Sequence, residues 1–172
     1  MTALFTAGVW IGVSAAGQSA TAATTVSLVA KLNASQEVPK PKAPAAARGT
    51  FTAGLVRTGA GGNLTWRLTF QGLSGKATAS HIHLARRGKA GAVAVSLCGP
   101  CRSGARGTAK LNAKLVTALL GGAAYVNVHT AKNAAGEIRG QVARSSAPPP
   151  PPPGTTTSGG ATGSTTYEDP YP

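Results

Sequence analysis

The sequence predicts an all-β chain: an antiparallel β-sandwich or flattened barrel of seven to eight short strands with one short helical turn. Three observations lead to this. Apolar and polar residues alternate with period two, most cleanly over residues 63–70, where Leu64, Trp66, Leu68 and Phe70 fall on one face. Gly, Pro and Asn clusters punctuate the chain at short intervals from Thr25 onward. Helical patterning is confined to Lys114–Leu120, which Gly121-Gly122 terminates.

The 172 residues allow one ordinary domain, and composition divides them into a leader over 1–23, a domain over 25–145 and a tail over 146–172. In the leader an apolar run, Leu4–Val13, is followed by Ala20-Thr21-Ala22, the small-residue pattern of a cleaved secretory signal peptide, although no Lys or Arg precedes the run. The run falls short of the ~20 residues that span a bilayer, so no membrane span is expected after its removal. Within the domain, Val26, Leu28 and Leu32 mark a first strand, closed off by Pro39 and the stiff Lys40–Pro44. Arg48–Arg57 is a second, with Phe51, Ala53 and Leu55 on one face, and residues 63–70 are the third. Ser80–Leu84 is the fourth, residues 91–97 with Val93, Val95 and Leu97 the fifth, and Lys110–Asn112 a short sixth. Two closing strands, Ala123–Thr130 and Glu137–Ala143, are joined through Asn133-Ala134-Ala135-Gly136, which suits a tight hairpin. In the tail, Pro148–Pro153 reads as an extended spacer and the Gly/Ser/Thr stretch after it as a disordered one, with too little apolar surface to fold.

Charge and composition exclude several chemistries. The net charge is +13, and every Lys and Arg lies between Lys31 and Arg144. Glu37 and Glu137 are the only acids inside the domain, so paired-carboxylate acid/base catalysis and a Ser-His-Asp set have no residues to draw on. The chain therefore leans away from an enzyme. The basic residues are scattered and lack aromatic partners for stacking bases, which argues against nucleic acid and leaves a solvated surface or adhesion to anionic polymers.

The three histidines carry the sharpest signal. His81 and His83 sit one residue apart on the fourth strand, and His129 ends Tyr125-Val126-Asn127-Val128-His129. Period two puts His81 and His83 on one face roughly 6.6 Å apart (two rises of ~3.3 Å), with Ile82 and Leu84 on the other. Val126 and Val128 turn inward likewise, which leaves Tyr125, Asn127 and His129 on an outer, solvent-facing side. The three imidazoles suit either mutual hydrogen bonding or a copper or zinc ion with an open position. Cys98-Gly99-Pro100-Cys101 has redox-motif spacing, but Arg102–Gly107 follows it as a loop where a redox motif needs a helix, so a local disulfide is expected.

Leu32-Asn33-Ala34-Ser35-Gln36-Glu37-Val38-Pro39, Gly49-Thr50-Phe51, His81-Ile82-His83, residues 122–130 and Gly136-Glu137-Ile138-Arg139-Gly140-Gln141 together resemble, in this order, the CHRD domain family of secreted proteins. That resemblance implies an extracellular immunoglobulin-like or dismutase-like β-sandwich whose biochemical role in bacteria is largely unassigned. A more distant likeness is to copper/zinc superoxide dismutases, whose His-x-His pair and late-strand histidine match His81, His83 and His129 in type and order. This chain departs from them: no fourth histidine exists to bridge two metals, and no aspartate lies inside the domain for a zinc subsite. Arg139 invites comparison with the dismutase's guiding arginine, but its simpler expected role is a strand-edge ion pair with Glu137. The sequence thus predicts an exported binding or structural module with an unknown envelope or extracellular partner. The alternatives are a copper- or zinc-binding domain with weak dismutase-like chemistry, and basic-surface adhesion.

Overall fold

A computed structural model describes residues 24–59 and 61–154. The expected signal peptide and the tail beyond Gly154 lie outside the described residues. The sheet is antiparallel throughout and nearly closes into a flattened barrel. Its strands are β1 (Thr25–Asn33), β2 (Arg48–Thr58), β3 (Gly61–Gln71), β4 (Ala77–Leu84), β5 (Ala92–Cys98), β6 (Ala105–Asn112), β7 (Ala124–Thr130), β8 (Ile138–Gln141) and β9 (Ala143–Arg144). Among the described residues a single α-helix, α1 (Ala113–Leu120), precedes β7, and one 3-10 turn (Ala34–Gln36) follows β1. Hydrogen bonding orders the strands β5-β4-β7-β8-β1-β2-β3-β6, with β9 also on β1. β1 and β8 share only the pair Asn33 and Arg139 before β9 takes over at Val29 and Leu28, so this joint is the fold between the two layers.

The core follows from the alternation read above. Leu28, Ala30 and Leu32 of β1, Phe51, Ala53 and Leu55 of β2, and Leu64, Trp66 and Leu68 of β3 are buried against Ile82, Val126, Val128 and Ile138 from the other layer. Leu115, Val116 and Leu119 of α1 close one end, and Asn112 caps that helix by accepting the Leu115 amide at 2.9 Å.

Three expectations change. The sixth strand is eight residues long, beginning at Ala105 inside a stretch read as loop. Its inward residues are Ala105, Gly107, Ala109 and Leu111, too small for most to register as an apolar face. They are small because the Trp66 indole lies on Gly107: a side-chain carbon there would come within 2.7 Å of Trp66 Cζ2. The closing strand breaks into β8 and β9 at Val142, whose side chain turns into the core. β5 pairs only with β4, and its Val93 is 56 % exposed, so the expected apolar row of β5 is only partly used. The disulfide expected between Cys98 and Cys101 is present, with Cα atoms 5.2 Å apart, and the Cys101 amide ties the loop to the Ala77 carbonyl at 3.1 Å. At the other end, Pro149 rests on Gly54 and Thr25 on the outside of the sheet.

Candidate metal centre

β4 and β7 are neighbours. Their register sets His81 opposite Asn127, His83 opposite Tyr125 and Ala79 opposite His129. His81 is therefore diagonal to His129, within reach of a ring. Ring centroids lie 4.9 Å apart for His81 and His129, 5.7 Å for His81 and His83, and 6.3 Å for His83 and His129. One ring nitrogen from each of the three lies within 4.8 Å of the other two. The aliphatic residues point the other way as expected, with Ile82, Val126 and Val128 fully buried in the core.

The histidine face is not the open side of a strand, and this corrects the sequence reading. His83 is 7 % and His129 9 % exposed, and every residue of β7 is buried. β7 sits between β4 and β8, and three further pieces of chain lie over its polar face. These are Glu37 after the 3-10 turn, Gly91 before β5, and the turn over residues 131–137. The result is a second, polar core, of which His81 is the partly open member.

Backbone carbonyls fix two of the rings. His83 Nδ1 lies 2.9 Å from the Gly91 carbonyl and His129 Nδ1 2.9 Å from the Ala134 carbonyl. A carbonyl only accepts, so each Nδ1 carries a proton, and the unpartnered Nε2 of His83 presents a bare lone pair to the cluster. Histidines that bind metals are held in this way, the outer N–H on a carbonyl and the inner nitrogen on the ion. His81 Nδ1 approaches His129 Nε2 to 3.0 Å, and Asn127 Oδ1 comes within 3.0 Å of the same nitrogen. Behind the rings, Tyr125 stacks on His83 (4.7 Å between centroids, 7° between planes), and the Arg139 guanidinium lies 3.4 Å from the other face of Tyr125. The Tyr125 hydroxyl accepts the Gly91 amide at 3.3 Å, so the Gly91 loop holds both members of the stack.

The electrostatics favour the neutral forms of His81 and His129. Burial lowers the pKa of His81 from its ordinary value, helped by the charges of His129 and His83. Burial also lowers that of His129, against the opposing pull of the Ala134 carbonyl. Glu37, 6 % exposed, is pushed up to about 7 by burial, although its hydrogen bond with the Val38 backbone, the Arg139 charge and the Asn127 amide all work to lower it. Gly136 makes room for this carboxyl: its φ of +136° and its contact with Glu37 Oε1 both shut out a side chain. Among the described residues, three buried side-chain polar atoms have no hydrogen-bond partner: His83 Nε2, Glu37 Oε1 and Arg139 Nη1. All belong to this polar core.

The expected ion pair between Glu137 and Arg139 is not the contact either side chain makes. The Glu137 carboxylate faces the other way and accepts from the Ser74 amide (2.6 Å), the Ser74 and Thr130 hydroxyls (2.5 Å each) and Asn133 Nδ2 (3.0 Å). Burial alone would raise its pKa, but these donors hold it below the usual carboxylate value. Arg139 instead covers Tyr125 and donates to the Arg86 carbonyl at 3.3 Å. Glu37 and Gly91 escaped the sequence reading as members of this site. Glu37 had one signal, being one of two acids in a strongly basic domain.

Fold and site together define an antiparallel β-sandwich module with a polar second core on the outer face of β4 and β7. The CHRD domain family model matches residues 28–142, well over half of the chain, and the protein belongs to that family. No curated protein and no solved structure matches it. The likeness to dismutases therefore rests on the type and order of the three histidines alone.

Proposed function

We propose that this CHRD module acts outside the cytoplasm and that its working centre is a transition-metal site formed by His81 Nδ1, His83 Nε2 and His129 Nε2, taking zinc or copper. The observation that carries this reading is the buried His83 Nε2. It has no partner while its Nδ1 is committed to Gly91, and it shares its cluster with a second ring held the same way. A buried nitrogen without a partner costs about 1–3 kcal/mol, which a bound cation offsets. Tetrahedral ligation at 2.0–2.1 Å needs nitrogens roughly 3.3 Å apart; the ring nitrogens lie within 4.8 Å of one another, and His81 is the ring that no carbonyl anchors. Imidazole-only donors suit zinc or copper, and bound metal supplies a Lewis acid with an open position beside partly exposed His81.

Export is supported by the leader pattern of residues 1–23 and by the disulfide. The test is equilibrium binding of zinc and of copper to the metal-free full chain, compared with His81→Ala, His83→Ala and His129→Ala. One ion per chain is expected, with affinity reduced at least 100-fold in each variant. Unchanged affinity in all three rejects the site, and a superoxide assay on the loaded chain then separates metal holding from turnover.

A further inference from the structure

The outer face of the β1-β2-β3-β6 layer has no role in that centre. Its strand registers place Asn33, Arg48 and Gln71 in one row across the sheet, then Lys31, Thr50 and Thr69. Val29, Thr52, Arg67 and Arg106 form the next row, followed by Ser27, Gly54, Thr65 and Thr108, and finally Thr25, Val56, Asn63 and Lys110. Five cations stand on this face, all exposed: Lys31, Arg48, Arg67, Arg106 and Lys110. No acid opposes them. The only acids among the described residues are Glu37 and Glu137, both buried. Arg67 and Arg106 are direct cross-strand partners, an arrangement that destabilises a sheet unless an anion lies between the charges.

The same face is channelled. Three shallow depressions follow one another along it, of about 620 Å³ by Lys31 and Arg48, about 300 Å³ by Thr52 and Arg67, and about 450 Å³ by Asn63, Thr108 and Lys110. From the Arg48 row to the Val56 row is eight rises, or ~27 Å at ~3.4 Å each. Pro149, seated on Gly54 of β2, covers the face at the Gly54 row.

We infer that this channel is a binding face for a linear acidic polysaccharide of the polyuronate type. Spaced carboxylates match guanidinium forks at Arg48, Arg67 and Arg106, and the threonine hydroxyls between them suit sugar hydroxyls. Phe70, at the Arg48 end, is the one aromatic residue lining these depressions, too few for successive nucleic-acid bases to stack on. The face also offers no apolar wedge for a membrane: the exposed large hydrophobics are Val38 and Val93, neither on these strands.

The experiment uses the full chain and polygalacturonate at low ionic strength, with duplex DNA and phosphatidylglycerol vesicles as competing probes. Two variants lose the same three charges. One carries Arg48→Gln, Arg67→Gln and Arg106→Gln. The other carries Lys76→Gln, Lys89→Gln and Lys132→Gln, exposed positions off this face. The face variant is expected to lose at least 30-fold in polygalacturonate affinity and the control under 3-fold, with wild-type binding weakening steeply in salt. Should the triple face variant not fold, Arg67→Gln alone is expected to lose at least 3-fold. Equal losses in the two variants, no loss in the fallback variant, or tighter binding to DNA or vesicles than to polygalacturonate would overturn the assignment.

Discussion

His81 Nδ1 and His129 Nε2 lie 3.0 Å apart although 48 positions separate them in the chain. That distance exists because β4 and β7 pair in a register that makes the two residues diagonal neighbours. His129 Nδ1 donates to the Ala134 carbonyl, and its Nε2 stands between His81 Nδ1 and Asn127 Oδ1. To hold a metal, His81 would carry its proton on Nε2, leaving His81 Nδ1 and His129 Nε2 as donor atoms.

The pH dependence of metal binding follows from the same contact. Burial holds His81 and His129 below the ordinary imidazole value of 6.5, so protons compete with metal only in more acid solution. Zinc affinity measured from pH 8 downward is expected to fall as His81 and His129 take up protons, in more acid solution than an ordinary imidazole does. A decline already complete at 6.5 would contradict the buried, neutral rings described above.

Glu37→Gln tests the polar core without touching a proposed ligand. With a folded pKa of about 7 against an ordinary 4.5, the native state binds the Glu37 proton more tightly than the unfolded chain does. This carboxyl's contribution therefore weakens the fold as pH rises through that window, by on the order of 3 kcal/mol at the alkaline end. The two histidines, with lowered folded pKa values, act in the opposite direction below 6.5, so the informative quantity is the difference between wild type and variant. Urea denaturation is expected to show the variant gaining on wild type between pH 5 and 8, and a constant difference would exclude the raised pKa.

Glu137→Ala is expected to damage both fold and site. It strips the Ser74, Thr130 and Asn133 donors of their acceptor and loosens the turn that carries the Ala134 carbonyl. The cost should be about 3 kcal/mol or more in urea denaturation, with zinc affinity about 10-fold weaker because an outer-shell anchor has been disturbed. Zinc binding at full strength in a destabilised variant would show that the turn does not hold His129 in place.

Gly107→Ala probes why β6 looks as it does. The added methyl meets the Trp66 indole, and overpacking of this kind costs about 1–3 kcal/mol. A neutral effect on the urea midpoint would mean that the indole does not rest there.

Removal of the disulfide by Cys98→Ser with Cys101→Ser should cost at most about 2 kcal/mol, since so short a loop takes little entropy from the unfolded chain. A larger loss in the same denaturation measurement would mean that the loop is anchored to β4 chiefly through this bond.

The parts of the fold that large side chains write were legible. Leu64, Trp66 and Leu68 announce β3, and Ile82, Val126 and Val128 announce the buried faces of β4 and β7. β6 was not legible beyond its last residues, because the partner of a large indole has to be small and Gly107 leaves no apolar mark. The three histidines could be grouped from period two and chain order, but their surroundings could not. Alternation assigns every second residue of a strand to solvent, whereas the cover over Asn127 and His129 comes from Glu37, 90 or more positions away, and from a turn whose conformation depends on Gly136. The same blindness suggested an ion pair between Glu137 and Arg139 from their spacing, when each has a stronger partner far off in sequence.

The most direct test is long-range nitrogen–proton NMR of the imidazoles during titration of the metal-free chain with zinc. One equivalent of zinc should shift Nε2 of His83 and His129 and Nδ1 of His81 together, leaving Nδ1 of His83 and His129 protonated. Saturation with zinc that leaves these resonances unmoved, or that deprotonates the two anchored Nδ1 atoms, would contradict a metal centre built on these three rings.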